Sequence, residues 1–431
     1  MKVLLVGHAF APNEGSEQGM TWNWAWHLSE YHEVWVAAYP QWRDEVEAQL
    51  ATTGNNRIHP VWVKPNSVFD IWDPHRGPQG LRWHYVLWQR EVVKVAAREH
   101  ARIGFDVIHQ VSLGTVAVPS RLWSLGAPFI WGPMGGGQTC PAPLLEVFGA
   151  SRWLEYCRIW RMKLLPWLPV FRRAMANSAS VLATNRETLA IVRAAGAAHS
   201  GLFRDIGIRS DQFLVAGRRR GPSDVVQILW SGKLIKYKAL PLALEAVAAL
   251  DGKLPFRLVI AGDGPERRSC EAFAGTLGIT DRVVFLGRID YREMESWFER
   301  ADIFLFTSVR ESGGMVTLEA LCRGLPLVAL DISGVRDHVP AEAGAKVPVG
   351  TRPETVKGLA AALEKLILSP ELRASSGRAG LESARKYQWG RKALEMTEIY
   401  SKCVADAGRS SPSPAMTAGG SRPQRSLADA E

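Results

Sequence analysis

The chain has 431 residues, 47% of them apolar, which is more than one core accommodates and sets an expectation of two domains. A net charge of +9 favours an anionic partner, either a phosphorylated ligand or a lipid surface, and the absence of any basic block longer than Arg218–Arg220 speaks against a nucleic-acid arm. Five scattered cysteines fit neither a disulfide framework nor a zinc spacing, and no apolar run reaches the ~18 residues of a spanning helix. A cytoplasmic protein is therefore expected, touching a membrane, if at all, from its inner face.

In chain order, "KVLLVG" (2–7) is a buried first strand, too short for a signal peptide. "GHAFAPNEGSEQG" follows as a glycine-containing loop, then "TWNWAWHLSEY" with helical spacing and "EVWVAAY" (33–39) as a strand. "FDVIHQ", "PFIWG" and "ASVLATN" are further short apolar strands separated by longer helical stretches. The rhythm loosens over 206–223, a linker containing "VAGRRRGPSD". It restarts with "VVQILWSG", "FRLVIAGDG", "RVVFLGR", "DIFLFTS" and "LPLVAL". Strands that are apolar throughout, alternating with helices, predict parallel sheets covered on both faces. The chain thus reads as an α/β protein. A Rossmann-like doubly wound domain spans 1–205 and a second spans 224–385, facing each other across a cleft. A helix at 386–407 packs back on the first domain, and a Ser/Pro/Gly-rich disordered tail occupies 408–431.

"ESGGMVTLEALCRG" (311–324) lies where strand "DIFLFTS" turns into a helix closed by Gly324 and Pro326. Ser312, Gly313 and Gly314 let backbone approach a ligand, and the first helical amides make an anion site suited to phosphate. Glu311 and Glu319 flank that nest and are suited to accepting hydrogen bonds from diols, which together describes a nucleotide sugar. A capped helix with two solvated glutamates is the plainer alternative. A pair of hydrolase carboxylates fits poorly: the two groups are ~12 Å apart along a continuous helix, against roughly 5–9.5 Å in glycosidases. "WSGKLIKYKAL" (230–240) places Lys233 and Lys238 around another strand-to-helix turn, where two ammonium groups can neutralise a diphosphate. The sequence has no Asp-x-Asp pair for a metal-bound diphosphate, so lysines and helix ends are expected to replace the cation, with no metal and no cofactor beyond the donor itself.

These three elements, Glu311-x7-Glu319 with "EALCRGLPLVA", the "SGKLIKYKAL" loop and "VIAGDGPERRS…LGITDRVVFLGR" (259–288), resemble the family 4 glycosyltransferases of GT-B architecture. The first half is similar only through "GHAFAPNEGSEQG" and "FDVIHQ". The resemblance implies a retaining transfer from a UDP-, GDP- or ADP-sugar to a hydroxyl of a glycan, lipid-linked or small-molecule acceptor in surface polysaccharide or glycolipid synthesis. It implies Glu319 on the ribose, Glu311 on the donor sugar, amides of Gly313, Gly314 and Met315 (with Ser312 and Val316 beside them) on sugar or phosphate, and Lys233 and Lys238 on the leaving diphosphate. Arg288 would flank the base. Gly15, Ser16, Glu17 and Gly19 would face the diphosphate from the first domain, and His109 would touch the donor sugar near the reacting carbon, with His8 a second candidate.

Three features stay open at this stage. "WGPMGGGQTCP" (131–141) is part of an acceptor pocket or a chain reversal. The Trp- and Arg-dense segment 151–178 lies on anionic lipid or packs on its own domain. The fold also accommodates a non-catalytic nucleotide-sugar-binding protein, a phosphorylase or an epimerase; a dinucleotide-dependent dehydrogenase ranks last, because the first loop is not Gly-x-Gly-x-x-Gly.

Overall fold

The computed structural model describes residues 1–12, 14, 16–65, 72, 80–213 and 225–410. The first seven strands are β1 (Lys2–Val6), β2 (Glu33–Ala38), β3 (Ile58–Trp62), β4 (Val107–Gln110), β5 (Phe129–Met134), β6 (Ser180–Ala183) and β7 (Ser200–Leu202). They form one sheet in the order β3-β2-β1-β4-β5-β6-β7. Then come β8 (Val226–Ser231), β9 (Phe256–Ala261), β10 (Val283–Gly287), β11 (Ile303–Phe306), β12 (Leu327–Leu330) and β13 (Gly344–Val347), ordered β10-β9-β8-β11-β12-β13. Every neighbouring pair is parallel. Each residue of β4, β5, β6, β11 and β12 is buried, the signature of sheets sandwiched between helices.

The helices of the first domain are α1 (Ser16–Leu28), α2 (Arg43–Thr53), α3 (Leu81–Ile103), α4 (Arg152–Leu164), α5 (Pro169–Ala176) and α6 (Arg186–Ala194). Those of the second are α7 (Leu240–Ala248), α8 (Arg267–Thr276), α9 (Tyr291–Arg300), α10 (Met315–Cys322), α11 (Ser333–His338), α12 (Arg352–Leu368) and α13 (Pro370–Ala384), followed by α14 (Trp389–Ser410). Along α14, Trp389, Ala393, Met396, Tyr400 and Cys403 recur every three or four residues, so one stripe is apolar. That stripe is buried with Val3, Leu5 and Trp24, so the last helix packs on the first domain.

The outgoing and returning chains cross side by side. The Ile208 N–H donates to the Tyr387 carbonyl (2.8 Å) and the Trp389 N–H to the Ile208 carbonyl (3.1 Å). Ile206 and Ile208 are buried against the second domain's core, which corrects the expected linker: its first residues are packed structure. Residues 214–223 of that linker lie outside the described residues, as do 411–431 of the expected tail, whereas 408–410 are the end of α14.

Strand order reverses between β1 and β4 and between β8 and β11. Connections leave in opposite directions there, which opens a crevice at the carboxyl ends of the strands. In the second sheet those ends carry Ser231–Lys238 and Thr307–Gly314, the two turns the sequence singles out.

Candidate donor-binding site

The two turns are stitched to each other. Thr307 Oγ1 donates to the Lys238 carbonyl (3.1 Å), Ser308 Oγ to the Tyr237 carbonyl (3.2 Å) and the Val309 N–H to that same carbonyl (2.9 Å). Trp230 Nε1 donates to Thr307 Oγ1 (3.1 Å) from beneath. This framework sets Lys238 against Glu311: Lys238 Nζ donates to Glu311 Oε2, and the side chains are only 16% and 20% exposed. The cation and the carboxylate that the sequence assigned to separate parts of a donor are therefore partners of each other here.

Gly314 takes φ +67°, left-handed backbone suited to glycine, and starts α10. The loop before it presses on the first domain. Ser312 Oγ shares a hydrogen bond with Thr184 Oγ1 (2.9 Å), and Asn185 Nδ2 donates to the Ser312 carbonyl (3.4 Å). A Cβ on Gly135 would collide with Ser312 Oγ, and one on Gly313 with Asp205 Oδ1. Arg204 bridges the domains, donating to the Thr184 carbonyl (3.0 Å) and the Gly334 carbonyl (2.9 Å). Asp205 is half-buried with its Oδ1 enclosed, desolvation raises its carboxyl above the usual range, and that oxygen finds no hydrogen-bond partner among the described residues. Ser312 and Gly313 thus press on the first domain, Gly314 is buried, and Met315 and Val316 are half-buried against the second domain's core.

Beside the turns lies a groove of about 790 Å³ lined by Gly232, Lys233, Asp263, Arg288, Asp290 and Met294 among others. Both Lys233 and Arg288 line it and are exposed. Glu319 sits in the second turn of α10, its carboxyl pushed up first by burial and then by Glu295, and pulled down by Arg323.

Two assigned residues are elsewhere. His109 has no exposed surface; Nδ1 meets Tyr400 Oη (2.6 Å) and Nε2 the Gly132 carbonyl (2.6 Å). Burial pushes its pKa down to about 4. A strand's last residues can point either into the cleft or under α14, and His109 points under α14, so contact with a donor sugar is corrected to a neutral interior bridge. His8 is likewise enclosed, stacked on Tyr39 (5.4 Å between ring centroids) with Nε2 3.3 Å from His84 Nδ1, and burial lowers its pKa to about 3. Of the first-domain loop, Gly15 lies outside the described residues. Ser16, Glu17 and Gly19 belong to the first turns of α1, and Gly19 is buried with the Glu14 carbonyl against it.

Sequence reasoning missed Thr184, Asn185, Arg204 and Asp205, which bear on Ser312, Gly313 and Gly334 from across the domain boundary. It also missed a buried pair: Arg310 Nη1 donates to Glu155 Oε2, Glu155 lying in α4. The available signals were slight: Arg310 adjoins Glu311, and Glu155 is the one carboxylate in the basic stretch 151–178. The Gly135–Gly137 loop forms the cleft wall opposite Ser312. Its Gly137 N–H donates to Thr188 Oγ1 (3.1 Å), and Arg158 donates to the Gly136 and Gln138 carbonyls.

Residues 218–383 match the family model of glycosyl transferases group 1. Among curated proteins, this chain is 29% identical over 241 residues to D-inositol 3-phosphate glycosyltransferase 2 of Catenulispora acidiphila, covering 52% of this chain and 56% of the relative. The chain spans about half the length of the curated relatives it matches. Among solved structures, sucrose-phosphate synthase from Thermosynechococcus elongatus superposes with a TM-score of 0.65 at 18% identity, over 94% of this chain and 99% of that one. Anabaena Alr3699/HepE in complex with UDP-glucose gives 0.57 at 15% identity, over 93% and 100%. Two Rossmann-like domains facing across a cleft, with such neighbours, are the GT-B architecture.

Proposed function

We propose that the chain is a glycosyltransferase that moves a sugar, with retention, from a nucleotide diphosphate donor to an acceptor hydroxyl. The carrying observation is the Lys238–Glu311 pair beside the Ser312–Gly314 turn, at the switch point of a group 1 domain. A diphosphate entering this cleft competes with Glu311 for Lys238 and frees the carboxylate for sugar hydroxyls. Amides of Gly313 to Met315 meet the developing charge on the leaving phosphate, a role fixed dipoles fill without reorganising. The base occupies the groove of Arg288, with Glu319 toward the ribose. The neutral His109 has no part in this step; the departing phosphate takes the acceptor's proton, and lysines with helix amides serve in place of a metal. The UDP-glucose complex of Alr3699/HepE favours a uridine donor as the first to try. The acceptor belongs to glycan or glycolipid synthesis, and segment 151–178 meets the anionic inner face of a membrane.

A thermal-shift screen against UDP-, GDP- and ADP-sugars tests the reading. The donor raises the melting temperature by mass action, corresponding to about 2.7 kcal/mol at one hundred times its dissociation constant. No shift with any nucleotide sugar, and no nucleoside diphosphate release with any acceptor, would sink it.

A further inference from the structure

We propose that a groove between α4 and the donor loop receives the phosphate of a lipid-linked acceptor, while α4 and α5 lie on the membrane that carries it. The inference rests on the glycosyltransferase reading and names the acceptor class for the same site.

The groove encloses about 460 Å³ and is walled by Phe148, Leu154, Glu155, Arg158, Arg161 and Arg310 among others. Among the described residues that line it, three guanidinium groups face one carboxylate, and that carboxylate is buried and committed. Glu155 accepts from Arg310 and from the Cys140 N–H (3.1 Å). The surplus positive charge suits a phosphate, for which arginine's planar fork is well matched. The walls are held in place: Arg310 also lies over the Tyr237 ring (4.6 Å), and Arg158 is tied to the Gly136 and Gln138 carbonyls. Arg310 adjoins Glu311, so an anion here sits beside the transfer site, and an attached sugar hydroxyl can reach the cleft.

The outer side of the same helices explains why the ligand has a tail. Glu155, Met162 and Leu165 point inward. On the opposite face Trp153, Trp160 and Trp167 are 61%, 63% and 71% exposed, and Leu164, Leu168 and Val170 join them. Rings at helical spacing with basic neighbours, Lys163 Nζ lying 5.5 Å from the Trp160 ring, match an interfacial surface rather than a water-facing one. A soluble phosphosugar accounts for the groove but leaves the tryptophan row unexplained. A protein partner accounts for the row but brings no phosphate to the transfer site. A phosphate-bearing lipid accounts for both.

The test is flotation of the full chain with vesicles of phosphatidylcholine, alone or doped with phosphatidate. Binding is expected only on the doped vesicles. Arg161→Glu should lower it about tenfold or more, because the groove loses a guanidinium that pairs with the phosphate in addition to the ~1 kcal/mol per basic residue of general surface attraction. Arg152→Glu is the same charge change on α4 outside the groove and should cost only a few-fold; Trp160→Ser/Trp167→Ser should abolish flotation with circular dichroism unchanged. Equal binding to undoped vesicles, or equal losses for the two arginine variants, overturns the groove. Inorganic phosphate that raises the melting temperature in an Arg161-dependent way, without any flotation, overturns the lipid source in favour of a free anion. The nucleotide-sugar screen is independent, so its failure alone would defeat the transferase reading and not the lipid site.

Discussion

Replacing Lys238 by alanine separates a structural from a catalytic role for the central ion pair. At contact distance two unit charges interact by about 4 kcal/mol at an effective dielectric of 20, whereas exposed pairs are measured at roughly 0.2–1 kcal/mol. Lys238 and Glu311 are 16% and 20% exposed, so their pairing lies between those limits. Losing the cation leaves Glu311 with the Ser308 hydroxyl (3.4 Å) and an incompletely paired charge, a cost of about 1–3 kcal/mol. The melting temperature should drop by several degrees. Turnover, read as nucleoside diphosphate released in steady state, should fall by about 10²–10³, the scale for removing one electrostatic donor from a transition state. Adding Glu311→Gln relieves the stranded carboxylate and should restore most of the melting temperature, but not the turnover. A Lys238→Ala protein with turnover near the parent's, or a double variant that regains it, would refute the leaving-group role.

Three further outcomes are expected. Gly135→Val should leave the fold intact but raise the donor KM by about tenfold, because its side chain meets Ser312 and Thr184 in the closed cleft and overpacking costs about 1–3 kcal/mol; an unchanged KM would show the contact to be incidental. Dialysis against EDTA should leave turnover intact; loss restored by Mn²⁺ would contradict charge stabilisation by lysines and amides. Stability should fall as pH drops below 6.5, since burial lowers His109 to about 4 and His8 and His338 to about 3. The unfolded chain binds those protons first, so the contribution is whole above pH 6.5 and lost as pH approaches the folded values. For His109 the 2.5-unit difference is about 3 kcal/mol. A urea midpoint flat between pH 4 and 6.5 would show that these rings are not held neutral.

The fold was legible because a doubly wound sheet writes itself locally. β11 "IFLF" and β12 "LVAL" are buried on both faces, so they are apolar throughout, and the helices between them carry an independent 3.6-residue period. The Ser312–Gly314 turn was legible for the same reason: Gly313 and Gly314 after a strand and before a helix are a local pattern. The linker was misread at Ile206 and Ile208, two isolated apolar residues whose burial depends on the returning chain at Tyr387 and Trp389, nearly two hundred residues away. His109 shows the limit most sharply. Being at a strand's carboxyl end says which edge of the sheet a residue is near; which face it takes depends on α14, whose Tyr400 hydroxyl claims the ring.

The residues that close the cleft had no signal of their own, for a physical reason. Thr184 against Ser312, Arg204 against Gly334 and Lys236 against Ser151 (2.7 Å) join different domains, so neither partner's neighbours in the chain carry the pattern. Asn185 does carry one, since its side chain accepts from the Thr188 N–H (2.9 Å) and caps α6, and that local duty conceals its second bond across the cleft to Ser312. The buried Glu155 is the instructive case. A lone carboxylate on the inward face of α4, amid arginines, has to be paired, because an isolated buried charge is costly. That burial demands a cationic partner, and only the fold says that it is Arg310, which couples the tryptophan-bearing helix to the residue next to Glu311.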